Sequence, residues 1–261
     1  MKVYIRANAK EMGIAAGNTA TDMISETIKN NGYANILLAT GASQFETLNQ
    51  LIIRTDVQWD KVTVFHLDEY IGLPSDHKAS FRKYLKDRFL SKVPYLKASY
   101  LINGEEEPEK ERQRLSDIIT AHPIDVALIG IGENCHLAFN DPPADFDTDE
   151  PYIIINALDE ECRRQQVNEG WFDHISDVPV RAISMSVKQV MRSKHIIASV
   201  PDLRKAKAVK NCLEHTVSNV YPASILQNHP DCNLYLDEPS ASLLSDDISY
   251  YRNGINERPG S

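Results

Sequence analysis

The chain has 261 residues, 42% of them hydrophobic and 25% charged, which is enough to bury a substantial core in one large or two small domains. Its formal net charge of −9 excludes the basic field of a general nucleic-acid or membrane-surface binder, yet leaves room for an anion site built from a few local donors. Cys135, Cys162, Cys212 and Cys232 stand far apart without CxxC spacing, and no apolar run suits a signal peptide or a bilayer span. A zinc or disulfide framework is not expected, and a reducing cytoplasm is.

In chain order, Val3–Ile5 reads as a short strand. Lys10–Asn30 places Met12, Ala15, Ala16, Ala20, Met23, Ile24 and Ile28 near helical spacing, and Asn31-Gly32 ends that helix with glycine in the left-handed position. Ile36–Ala39 is a buried strand running into Thr40-Gly41-Ala42-Ser43, with a helix from Gln44. Val62–Leu67 is β-branched and apolar, hence a strand, and it ends at Asp68-Glu69-Tyr70 before a turn at Gly72-Leu73-Pro74. Ser80–Phe89 reads as helix, Tyr100–Ile102 as strand, Glu107–Ala121 as a charged helix and Asp125–Ile131 as a buried strand. Tyr152–Ile155, Ala182–Met185, His195–Val200 and Leu234–Leu236 are further strands. Glu160–Gly170, Asp202–Leu213, Ala223–Gln227 and Pro239–Leu244 are helical. Strands of a few residues alternating with helices predict an α/β chain, a mainly parallel sheet with helices on both faces. No repeat or linker-like tract interrupts it, so one domain over residues 1–261 is expected.

Ligands of open parallel sheets bind beyond the carboxyl ends of the strands. Three strands here end in polar residues: at Thr40–Ser43, at Asp68, and at the loop Ile129–Pro143, written IGIGENCHLAFNDPP. If these strands are neighbours, the three ends share one crevice. Gly41 lets backbone approach an anion, Thr40 and Ser43 offer hydroxyls, and the following helix start offers free N–H groups. The same residues also read as a capping box, Ser43-x-x-Glu46, needing no ligand. Arg204, Lys205 and Lys207 open a later helix, where cations oppose the helix dipole unless an anion is bound or the side chains reach water. Asp68, after a buried run, suits a proton-transferring carboxylate, or a turn aspartate. His136 is the acid/base candidate, with Asp141 five residues on to orient it. Cys135 reads as a small buried filler before a nucleophile.

Together VFHLDEYIGLP (Val64–Pro74), GIGENCHLAFNDPP (Gly130–Pro143), LLATGAS (Leu37–Ser43), LRKAKAV and PASILQNHP resemble the glucosamine-6-phosphate deaminase family, from about Ile36 to the DEPSASLL segment. The resemblance implies a Rossmann-like α/β fold and aldose–ketose isomerisation with loss of ammonia, without cofactor or metal. By that resemblance Asp68 moves the proton between carbons 2 and 1, and His136 opens the sugar ring. Thr40, Gly41, Ala42, Ser43 and Lys205 hold the phosphate. Asn134 and Cys135 stand where the family has Asp and Gly, and Asp141 stands for a Glu. A phosphate-binding arginine before the aromatic pair Trp171-Phe172 is replaced by Gly170, while Arg164 matches another family arginine and Arg163 lies beside it. The acidic ADFDTDEP segment departs from the allosteric site of some members. The implied partner is a small sugar phosphate, with no nucleic acid or membrane. Family members range from monomers to hexamers, so a homo-oligomer is admissible. A sugar-phosphate isomerase, a lactonase and a non-catalytic sensor are the alternatives on the same fold. HLAFNDP differs from the HTASLFP-like residues of the lactonases, and no basic helix-turn-helix precedes the domain.

Overall fold

The computed structural model describes residues 1–93 and 95–245. The final residues of the expected 1–261 domain lie outside the described ones. The strands among the described residues are β1 (Lys2–Arg6), β2 (Ala34–Leu38), β3 (Val62–His66), β4 (Asp68–Tyr70), β5 (Ala98–Tyr100), β6 (Val126–Ile129), β7 (Tyr152–Ile155), β8 (Ala182–Met185), β9 (His195–Val200) and β10 (Cys232–Asp237). The helices are α1 (Ala9–Asn31), α2 (Phe45–Ile53), α3 (Phe81–Leu85), α4 (Pro108–Thr120), α5 (Glu160–Asn168), α6 (Val187–Met191), α7 (Ala206–Glu214) and α8 (Glu238–Ala241), with short 3-10 or π turns between several of them.

Seven strands form one parallel sheet in the order β1-β10-β9-β6-β2-β3-β5. Its inner strands are buried on both faces, so their side chains alternate between two apolar layers, while the edge strands β1 and β5 are partly exposed. On β2, Ala34, Ile36 and Leu38 pack into the layer of α1, whereas Leu37 joins the opposite layer with Leu115 of α4 and Val209 of α7. α1 starts at Asn8, whose side chain accepts from Glu11 N, and stops at Gly32, whose φ of 82° fits the expected left-handed end.

The order places β9, β6, β2 and β3 side by side, so the three polar strand ends are neighbours as the crevice requires, and the end of β9 joins them. A second sheet, β4-β8-β7, is antiparallel and was not anticipated. Asp68-Glu69-Tyr70 is not simply the end of a strand. At Leu67 the chain leaves the large sheet, and Asp68 pairs with Ser184, Glu69 with Ile183 and Tyr70 with Ala182. Beneath this small sheet Tyr70, Phe81, Phe139 and Phe172 pack as an aromatic cluster with ring centroids 5.1–5.8 Å apart. α6 was not anticipated either.

Candidate active site

One cleft at the carboxyl ends of β9, β6, β2 and β3 is lined by Thr40, Gly41, Ala42, Ser43, Asp68, His136, Gln165, Gln166, Glu169 and Lys205 among others. Seven of the residues singled out from the sequence therefore meet.

The loop after β2 is held open by its anchors. Gly41 has φ 97°, a conformation disfavoured for residues bearing a Cβ. Its carbonyl accepts from the Tyr84 hydroxyl at 2.9 Å. Gln44, 1% exposed, donates from Nε2 to Ser43 Oγ (3.0 Å), to Ile129 O of β6 (3.1 Å) and to Ser199 O of β9 (3.4 Å), tying the loop to two strands. The capping box does not form: neither the 3-10 turn at Ala42–Gln44 nor α2 has a side-chain cap. Ser43 is thus left facing the cleft. Of the three cations near α7, Lys205 is the one that is buried and lines the cleft, whereas Arg204 pairs with Asp202 at 2.9 Å. Burial lowers the Lys205 pKa, against which the carboxylates of Glu169 and Glu133 act.

Asp68 sits where the two sheets part and is 6% exposed. Burial, then the neighbouring Glu69, pushes its carboxyl up to about 8. Glu69 points the other way. Its carboxylate accepts from Tyr70 N, Ser80 Oγ, Phe81 N, Arg82 N and Arg82 Nε, closing the start of α3.

His136 lies over Gly132, where a Cβ would come within 2.2 Å of the imidazole ring. Asn134 and Asp141 do not line the cleft; they stand behind the histidine. Asn134 Oδ1 accepts from His136 N (3.2 Å) and from Nδ1 (2.7 Å), and its Nδ2 donates to Asp141 Oδ1 (3.1 Å). An amide oxygen only accepts, so Nδ1 carries a hydrogen, and in the neutral tautomer this selects the lone pair lies on Nε2. Asp141 lies 3.3 Å from Nδ1 and accepts from Asp159 N. Burial would raise the Asp141 pKa, but the bonds from His136, Asn134 and Asp159 outweigh it and leave the carboxyl below its ordinary value. Cys162 of α5 completes the group: the His136, Asp141 and Cys162 ligand atoms lie within 4.8 Å of one another, the one such cluster of possible metal donors among the described residues. Cys135 turns away to α7, with Sγ 3.6 Å from Ala208 O, as a buried filler does. Its φ of 72°, like the 51° of Ala138, is a left-handed conformation held without glycine.

Arg164 is not brought to the cleft. Its side chain is 61% exposed and pairs with Glu160 one turn back. Arg163 is engaged with the carbonyls of Ile175 and Val178. The face that α5 does present is Gln165, Gln166 and, at its end, Glu169, none of them singled out from the sequence. Their signal was spacing: with Cys162 they fall at i, i+3, i+4 and i+7, one helical face made of polar residues and yet buried or half-buried.

The sequence profile described as glucosamine-6-phosphate isomerases/6-phosphogluconolactonase matches residues 7–234. A glucosamine-6-phosphate deaminase of Listeria innocua is 37% identical over 235 residues, covering 90% of this chain and 97% of that protein. One of Lactococcus lactis subsp. cremoris is 35% identical over 248 residues, covering 94% and 100%. A solved monomeric glucosamine-6-phosphate deaminase superposes with a TM-score of 0.84 at 30% identity over 93% of this chain and 100% of that one. A 6-phosphogluconolactonase from Trypanosoma brucei, at TM-score 0.73 and 16% identity, shares the fold. With the family profile matched over residues 7–234 and relatives more than 30% identical over most of both chains, the chain belongs to the glucosamine-6-phosphate isomerase/6-phosphogluconolactonase family.

Proposed function

We propose that this chain is an enzyme of amino-sugar metabolism that isomerises and deaminates an amino-sugar 6-phosphate, turning glucosamine 6-phosphate and water into fructose 6-phosphate and ammonia. The observation that carries the reading is the convergence of a buried carboxylate, Asp68, and an oriented histidine, His136, on one cleft that also holds Lys205 and the Thr40–Ser43 loop. Relatives that share this family and about a third of the sequence are glucosamine-6-phosphate deaminases.

In this reading Lys205, Thr40, Ser43 and the Gly41–Ala42 backbone hold the phosphate, a remote handle that fixes the reacting carbons. His136 Nε2 takes the proton of the carbon-1 hydroxyl and delivers it to the ring oxygen as the bond between carbon 1 and that oxygen breaks, leaving the open-chain aldehyde with a hydroxyl at carbon 5. Asn134 and Asp141 act through His136, as positioning residues. Asp68 takes the proton from carbon 2 and returns it to carbon 1. The imine left at carbon 2 adds water and expels ammonia. Arg164 has no part in phosphate binding in this arrangement. A reducing, cytoplasmic setting accords with four buried cysteines that are all free thiols.

The test is incubation with glucosamine 6-phosphate in deuterated water. Ammonia, fructose 6-phosphate and solvent label at the transferred position are expected together. Label without ammonia indicates a simple isomerase, and binding with neither a non-catalytic sensor; either result overturns the proposal.

A further inference from the structure

The anion end of the cleft contains a negative charge that a phosphate-binding end does not need. Lys205 is 4% exposed there. Three carboxylates act on it or on its neighbour Arg204. Asp202 pairs with Arg204 at 2.9 Å and Glu133 lies 3.9 Å from the same guanidinium with its Oε1 free of hydrogen bonds, and neither of the two lines the cleft. Glu169, which lines the cleft with Lys205, accepts from Gln165 Nε2 at 2.8 Å and from Trp171 Nε1 at 3.2 Å. Both donors are neutral. They fix the direction of the carboxylate without cancelling its charge. Gln165 is itself fixed at its other end, its Oε1 accepting from Glu133 N at 3.0 Å. Glu169 is therefore a rigidly held charge in the cleft wall, in the field of Lys205 and Arg204 but in no ion pair with either.

A buried ammonium without a counter-charge is costly, so an empty cleft gains from Glu169. The same charge repels an arriving dianion. We propose that Glu169 is the resident counter-charge of Lys205 and a specificity-determining residue: it stabilises the empty cleft and weakens the grip on a phosphate monoester, so that the ligand's anionic end is held loosely and exchanges readily. The inference rests on the reading that Lys205 and Thr40–Ser43 form the phosphate end.

Inorganic phosphate titrated calorimetrically into the intact protein is the test, because it reads affinity without turnover. Glu169→Gln should bind phosphate about fivefold more tightly than the parent, the effect of removing one charge across a partly solvated cleft. Its melting temperature without anion should be lower than the parent's, and phosphate should raise it by a larger increment. Glu169→Ser, which also lacks the charge, must reproduce the tighter binding, and serves alone if the Gln variant does not fold. Trp171→Phe removes a donor but keeps the charge, so its phosphate affinity should stay within about twofold of the parent. Unchanged or weaker binding in Glu169→Gln and Glu169→Ser overturns the proposal. So does an equal gain in Trp171→Phe, which would trace the effect to a loosened wall, and so does an absence of phosphate binding in every protein. If ammonia is never formed but the charge-free variants still bind phosphate more tightly, the proposed reaction falls and this inference stands.

Discussion

A carboxylate in place of Asn134 would stand about 3.1 Å from Asp141, the distance over which the amide now donates to it. Two carboxylates so close cannot both ionise comfortably; one keeps a proton or the loop opens. Asn134 thus does more than stand in for an acid: it passes the orientation of Asp141 on to His136 without adding charge. Asn134→Asp should lower kcat about tenfold, equivalent to about 1.4 kcal/mol, and lower the melting temperature more at pH 7.5 than at pH 5. Steady-state rates and thermal melts at the two pH values check this, and unchanged rates and melts would show the amide to be idle. The second prediction at this scale concerns Asp68. A base works only when ionised, and burial pushes this carboxyl up to about 8. The kcat/KM of the free enzyme should therefore rise with pH until about 8 and then level off on that limb. Asp68→Asn should remove the limb and about 10³-fold of the rate. A rate that is flat between pH 6 and 8 in the parent would rule Asp68 out as the base.

Glu69 shows how an element can be set by a residue that reads as chemistry. It follows Asp68 in the same motif, yet it faces away and gathers the N–H groups that open α3, together with the Arg82 guanidinium at 3.3 Å. Arg82 in turn reaches Asn103 Oδ1 and Leu73 O, so the turn after β4 and the segment after β5 hang on the same pair. Removing one member of a buried, hydrogen-bonded ion pair typically costs about 3–5 kcal/mol. Glu69→Ala should lower the denaturation free energy by about that amount, read from urea unfolding; a loss below about 1 kcal/mol would mean that α3 is held by its apolar face alone. The elements themselves were largely legible, because buried parallel strands are continuous apolar runs and α1 carries both its period and its terminal glycine. β4 was not legible. Three residues, two of them acidic, carry no strand pattern, and the partner that makes them a strand, β8, lies far along the chain. The pocket face of α5 was hidden for the opposite reason. Its residues are polar, so helical period counted on apolar residues passes over Gln165, Gln166 and Glu169. Arg164 was drawn into the site by resemblance, and the turn of α5 sends it to solvent.

At the scale of the whole molecule, the crevice was legible as a rule about strand ends, while the order β9-β6-β2-β3 that makes the rule apply came only with the fold. That order puts two ionisable groups two residues apart, at the end of β3, in the driest part of the protein, and they pull its stability in opposite directions with pH. His66, 0% exposed, has its pKa lowered to about 3 by burial and by the nearby Arg82. The unfolded chain takes up that proton at ordinary pH values, so stability present above about 6.5 is lost as pH falls toward 3. Asp68 has its pKa raised to about 8 from 3.8, so the unfolded chain releases its proton first. Stability that is full below about 4 is lost as pH rises toward 8. The ligand-free protein should therefore be most stable on the acidic side of neutrality, between these two losses. Asp68→Asn isolates one of them, since an amide is uncharged throughout. It should raise the melting temperature by about 3 °C or more at pH 8, the shift expected per kcal/mol for a chain of this size. At pH 5, where the parent keeps Asp68 largely protonated, the gain should be smaller. Melting curves of both proteins from pH 5 to 8.5 decide the matter. An equal shift at every pH, or a destabilised variant at pH 8, would mean that the folded state does not hold Asp68 as a strained, desolvated carboxylate awaiting its substrate.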